Sequence, residues 1–254
     1  MKRIRVIPVL LLHNGGLVKS VQFKNYRYVG DPINAVKIFN EKEVDEIIVL
    51  DISATAQNRN PNLSLIKEIA SEAFMPLAYG GGVKNLEEIK ALISSGVEKV
   101  VINAAAIEQP YLIREAAEYV GSQSVVVSID VKKNVLGKYR VVTHNSRKIS
   151  NLNPVLFAKK MEEYGAGELF INAVDKDGTY RGYDLTLIKS ITKEVTIPVI
   201  ACGGASVLED FKKAIDYGAS AVAAGSMFVF QRPHQAVLIS YFSQQELKDK
   251  LYKS

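Results

Sequence analysis

Two aspartates stand at the ends of short apolar runs, Asp51 in Val49-Leu50-Asp51 and Asp130 in Val125-Val-Val-Ser-Ile-Asp130. A carboxyl at the end of a buried strand can take or give a proton or orient a ligand. It can equally cap a helix or hold a loop. Two glycine-rich segments carry a second kind of chemistry. Gly80-Gly81-Gly82 precedes a helical pattern near Asn85, and Gly203-Gly204 precedes another near Val207. Glycine lets backbone approach an anion closely, and the first N–H groups of a helix point at it. Each pair is followed one apolar run later by a strand end of small residues, Asn103-Ala104 and Gly225-Ser226. The arrangement points to two phosphate sites, although either glycine pair alone is also a plain tight turn. Asp177-Gly178-Thr179, with Gly182 beyond, reads as a loop able to close over the second phosphate through its backbone and Thr179. The single cysteine, Cys202, can form neither an internal disulfide nor a cysteine-based zinc site. It reads as a small buried residue, and no metal or cofactor is expected.

These groups need elements to position them. Arg5–Leu12, Ile47–Asp51, Pro76–Ala78, Val100–Asn103, Ser124–Asp130, Leu169–Asn172, Pro198–Ala201 and Ala219–Ala224 are short and nearly continuously apolar. That is the pattern of strands buried on both faces. Between them lie segments with helical spacing. Ile33, Val36, Lys37 and Asn40 follow Asp31-Pro32, an N-cap and first-turn proline. Leu86, Ile89, Leu92 and Ile93 end at Gly96, and Leu208, Phe211, Ala214 and Ile215 end at Gly218. Eight strand–helix units in 254 residues predict an α/β fold, a single (β/α)8 TIM barrel over 1–254. A doubly wound sheet is the alternative.

The chain also repeats itself. Pro76–Glu88 aligns with Pro198–Asp210, and the same offset pairs Gly96 with Gly218, Val100 with Val222 and Glu46 with Glu168. A period near half the chain predicts two half-barrels, about 1–122 and 123–240, followed by a polar surface helix over 244–252. Composition narrows the class further. A hydrophobic content of 48% excludes global disorder, and no apolar run approaches a membrane span. The basic start is broken by Pro8, His13 and Asn14, unlike a signal-peptide core, so a cytoplasmic location is expected. The net charge of +5 is not gathered into a basic run interleaved with aromatics, so no nucleic-acid partner is expected.

Over nearly its whole length the chain resembles the cyclase subunit family of imidazole glycerol phosphate synthase. The resemblance rests on Ile7-Pro8, Gly30-Asp31-Pro32, Asp45-Glu46, Leu50-Asp51, Gly80-Gly81-Gly82, Ile102-Asn103, Ile129-Asp130, Gly165-Ala166-Gly167-Glu168, Asp175–Thr179 and Gly203-Gly204. It implies a barrel that takes ammonia from a glutaminase subunit docked at its N-terminal face. There the family joins ammonia to a two-phosphate aminoimidazole ribonucleotide, with one aspartate after strand 1 and another after strand 5 as acid and base. The second matches Asp130; the first falls on Leu11, which can carry no proton. Asp51, Gly81, Gly82, Asn103, Ala104, Asn172, Asp177, Gly178, Gly203, Gly204, Gly225 and Ser226 match the substrate and phosphate positions. Lys19 matches a flexible-loop lysine that contacts substrate, and His13 is a candidate to replace the missing aspartate. His144 and His234 carry no signal.

The segment Leu10–Lys19 looks like a paralogue group found with surface-polysaccharide genes. That likeness implies ammonia destined for a sugar, through a separate ATP-dependent sugar amidotransferase. A family ring of charges guarding the ammonia entrance matches Arg5, Glu46, Lys99 and Glu168. An authentic histidine-pathway cyclase, and a non-catalytic phosphate-sensing scaffold that activates its glutaminase, are the alternatives.

Overall fold

Strands apolar on both faces must be covered on both, and a parallel sheet does this by curling so that one face fills an inner core while helices cover the other. The computed structural model of the protein, which describes residues 4–231, 234 and 236–252, has this form. Eight strands run β1 Arg5–His13, β2 Ile47–Asp51, β3 Leu77–Gly80, β4 Lys99–Ile102, β5 Val125–Lys133, β6 Glu168–Ala173, β7 Val199–Cys202 and β8 Ala221–Ala224. Each pairs in parallel with the next, and β8 pairs back onto β1, Arg5 opposite Ala221. The sheet is therefore a closed (β/α)8 barrel.

The core is double. Inside the barrel Ile7, Val9, Ile48, Val126, Phe170 and Ile200 fill an apolar lumen. Outside it, residues such as Val6, Val49, Ile89, Leu92, Phe211 and Ala214 pack strands against helices. The predicted stripes fall inside helices Pro32–Glu41, Leu86–Ser94 and Leu208–Asp216. Asp31 caps the first, its side chain accepting from Asn34 N at 2.9 Å. Pro76 and Pro198 fall just outside their strands, because a proline has no N–H to donate; their carbonyls still accept, from Ile47 N at 3.0 Å and Leu169 N at 2.9 Å.

Two antiparallel ribbons were not expected. Beyond the barrel, Leu11–His13 of β1 pairs with Gly16–Val18, and Gly16–Val21 pairs with Lys24–Gly30. Likewise Asp130–Lys133 of β5 pairs with Tyr139–Val142. The C-terminal segment also differs from a polar surface helix. Gln244–Leu247 is α-helical and Lys248–Tyr252 is a π-turn, and Leu247 and Leu251 are buried in the core. No helix among the described residues is long and apolar enough to cross a membrane.

Candidate active site

A parallel barrel gathers all its strand C-termini at one face, so side chains far apart in sequence meet there. Asp51, Asn103, Asp130, Asn172 and Leu11 line one open cavity of about 750 Å³ at that face. Leu11 and Asp130 come from β1 and β5, four strands apart, and thus from opposite sides of the mouth. Where a second carboxyl would complete an acid–base pair, the wall is hydrocarbon.

Asp130 has unusual surroundings. Burial pushes its carboxyl up to about 7, the Asp177 charge adds to the rise, and hydrogen bonds from Asn172 and Asn103 oppose it. Asn103 Nδ2 donates to Ser128 O at 3.0 Å and to Asp130 Oδ2 at 3.3 Å. A carboxyl titrating near neutrality can serve as either acid or base at working pH. Asp51 is placed differently. Its Oδ1 accepts from Ser53 N at 2.9 Å, Ser53 Oγ at 2.7 Å and Ala54 N at 3.0 Å, and its Oδ2 lies 3.6 Å from Arg59. It shapes the loop after β2 as well as lining the cavity.

Lys19 is neither solvated nor on a loose loop. It sits in the ribbon strand Gly16–Val21, only 4% exposed, and its ammonium reaches back to donate to Val9 O. Burial lowers it to about 8, with the Asp177 charge opposing. Asp177 in turn is pushed up by burial to about 6, with Lys19 opposing. Gly225 makes room for this lysine, since a Cβ there would stand 2.7 Å from its Nζ. Lys19, Ser20, Asn172, Asp177, Gly225 and Ser226 share a smaller inner cavity of about 360 Å³ with lumen residues Val9, Phe170 and Cys202.

The glycine pairs occupy equivalent corners. Gly81 has φ +118° and a Cβ there would lie 2.3 Å from Asp51 O; Gly203 has φ +95° and its Cβ would lie 2.7 Å from Ala173 O. Both positions demand glycine for conformation and for close approach. Gly81, Gly82, Asn103 and Ala104 border a further cavity of about 670 Å³, together with His144. Gly178 packs against the ribbon, and Gln22 N donates to Asp177 O at 3.0 Å. Gly204 O accepts from Gly182 N at 2.8 Å, so the loops after β6 and β7 are tied together. Thr179 Oγ1 is spent on Lys176 O at 2.7 Å.

His13 does not face Asp130. It stacks on Tyr26 with ring centroids 5.2 Å apart, outside the cavity lining. His144, dismissed on sequence, lines two cavities, with Nδ1 3.0 Å from Thr143 Oγ1. Burial lowers its pKa, helped by Lys148 and opposed by Glu108. The aromatic residues Phe23 and Tyr26 also reach the cavity from the ribbon. Burial raises the Cys202 thiol far above its ordinary value, which makes it inert. Among the described residues no cluster of three or more His, Cys, Asp or Glu is gathered to hold a metal.

At the opposite face the four expected charges form a closed ring. Arg5 pairs with Glu46 and Glu168, and Lys99 Nζ lies 2.9 Å from Glu46 and 3.1 Å from Glu168. Burial would lower the guanidinium's pKa, but the two carboxylates outweigh it and hold it above its ordinary value. Both glutamates are nearly fully buried, and the two cations, each shared between them, compensate their two charges. Lys99→Met is expected to destabilise the fold by about 3 kcal/mol, read by urea unfolding.

The comparisons with known proteins agree with this architecture. The family profile described as histidine biosynthesis protein matches residues 5–233. A Pseudomonas aeruginosa protein, provisionally named imidazole glycerol phosphate synthase subunit hisF2, is 52% identical over 95% of this chain and 96% of its own. A Leptospira interrogans protein, provisionally named imidazole glycerol phosphate synthase subunit HisF, is 46% identical over 99% of this chain and 100% of its own. The imidazole glycerol phosphate synthase subunit HisF of Thermococcus onnurineus is 42% identical over 97% and 98%.

Proposed function

The chain belongs to the histidine biosynthesis protein family, and on that premise we propose that it is the barrel subunit of a glutamine-dependent amidotransferase system. A glutaminase subunit docks at the N-terminal face around the ring of Arg5, Glu46, Lys99 and Glu168. Ammonia passes the ring, travels the apolar lumen and emerges beside Asp130. Phosphorylated ligand is held between the Gly81–Gly82 and Gly203–Gly204 corners, with Asn103, Ala104, Gly178, Gly225 and Ser226 contributing. Asp51 orients the ligand through the loop it shapes. Lys19 contacts it with the donors that its bond to Val9 O leaves unused.

The observation that carries the reading is Leu11 across the mouth from Asp130. A barrel that keeps the ammonia path but has lost half of its acid–base pair is suited to a different acceptor. We take that acceptor to be a sugar of surface-polysaccharide synthesis, reached through a separate amidotransferase, as the Leu10–Lys19 segment suggests. The relative named as a synthase subunit in Thermococcus onnurineus favours a second reading, the histidine-pathway cyclase itself. The two readings part on one assay. With its glutaminase, glutamine and the aminoimidazole ribonucleotide, the protein is expected to form imidazole glycerol phosphate about 10²–10⁴-fold more slowly than a barrel with both aspartates. Turnover at the ordinary rate would overturn the specialised reading.

A further inference from the structure

We infer that the inner cavity at the lumen's exit is a seat for ammonia nitrogen, held as ammonium by Ser20 Oγ and Asn172 Oδ1 beside the Asp177 carboxylate. The inference rests on the proposed ammonia-receiving role and adds the residues that catch the nitrogen. Its first support is unmet hydrogen bonding. Ser20 and Asn172 are 5% and 7% exposed, and among the described residues neither Ser20 Oγ nor Asn172 Oδ1 has a partner. Buried polar atoms are nearly always satisfied, so two unmet ones lining one cavity call for a donor supplied from outside the chain. The Asn172 amide nitrogen is already engaged with Asp130, which leaves the oxygen to receive that donor. Gly203 keeps the approach open, since a Cβ there would stand 2.8 Å from Asn172 Oδ1.

Charge supplies the second support. Asp177 lines the inner cavity beside one buried cation, Lys19, whose ammonium donates to Val9 O. The Asp177 carboxylate has lone pairs for more than one donor, so it can accept a further N–H from a small ligand. The setting supplies the third. The cavity floor is the end of the apolar lumen, Val9, Phe170 and Cys202, with Leu50 packed against it. A ligand arriving there is small, and ammonium brings four N–H donors to the oxygens of Ser20, Asn172 and Asp177. A water molecule can meet the same oxygens.

Thallium(I), a heavy monovalent stand-in for ammonium, separates the two. Crystals of the full chain, grown without ammonium, are soaked in thallium(I) acetate. An anomalous peak within bonding reach of Ser20 Oγ and Asn172 Oδ1 is expected. It should vanish when excess ammonium acetate is added, and in the Ser20→Ala/Asn172→Leu variant. Absence of the peak in the wild type, or displacement by potassium but not ammonium, overturns the site. Glutaminase binding is measured separately on the same preparation. If the glutaminase fails to bind, the ammonia-receiving reading falls while the thallium result still reports on the site alone.

Discussion

Replacing Leu11 by aspartate is expected to raise the rate of imidazole glycerol phosphate formation by about 10²–10⁴-fold, the usual contribution of one positioned proton-transfer group. The geometry favours a large gain. Leu11 lines the same cavity as Asp130 and is held from both sides, by Leu50 of β2 and by Val18 of the ribbon. A carboxyl there would enter a preformed wall, on the side of the inner cavity that also holds Lys19. The assay uses the barrel alone with ribonucleotide and saturating ammonium salt, so glutaminase docking does not enter. The gain should appear in kcat, because the new carboxyl moves a proton in the reaction and does not hold a phosphate. It should vanish when Asp130 is also replaced, since the two carboxyls act as a unit. An unchanged rate in a folded Leu11→Asp variant would mean that proton transfer does not limit this barrel.

The barrel was legible in the sequence because buried parallel strands leave a mark that few other elements share. Eight short apolar runs, alternating with segments of helical period such as Leu86–Ile93 and Leu208–Ile215, give strand number and order. The glycine corners were legible through the repeat, since Gly81 and Gly203 occupy equivalent turns where backbone presses on backbone. The charged ring was legible through the family resemblance, with which the lead of each member into an apolar strand agrees, since a charge there needs a partner. The ribbons were missed, although Asn14-Gly15 carries a hairpin signal: both residues adopt positive φ, 50° and 84°. Missing the first ribbon misplaced Lys19, which the structure buries against Val9 O. Missing the second hid His144, whose place in the cavity depends on a turn of three successive residues with positive φ, His144, Asn145 and Ser146. Such a turn has no periodic signature. The π-turn at Lys248–Tyr252 escaped for a related reason: two leucines four apart among polar residues resemble a solvated helix until the helix Leu208–Asp216 and the outer core meet them.

Asp130→Asn is expected to lower the rate with the proposed acceptor, and the residual cyclase rate, by about 10²–10⁴-fold. Its effect on stability should have the opposite sign. The folded carboxyl titrates near 7 whereas an exposed one titrates near 3.8. A carboxyl raised in this way favours the folded state at low pH and loses that advantage as pH climbs from about 4 to about 7. Asparagine carries no charge to desolvate, so at pH 8 the variant should unfold at higher urea than wild type, and at pH 4 the difference should disappear. Loss of activity with gain of stability distinguishes a strained functional carboxyl from a structural one. The pH profile adds a check on cause. If Asp130 acts as base, activity falls as pH drops through about 7. Asp177 contributes to that value after burial itself. Asp177→Asn removes its charge and should move the acidic limb to lower pH, toward the ordinary carboxylate range. A limb that stays in place would show that Asp130 is not the group being titrated.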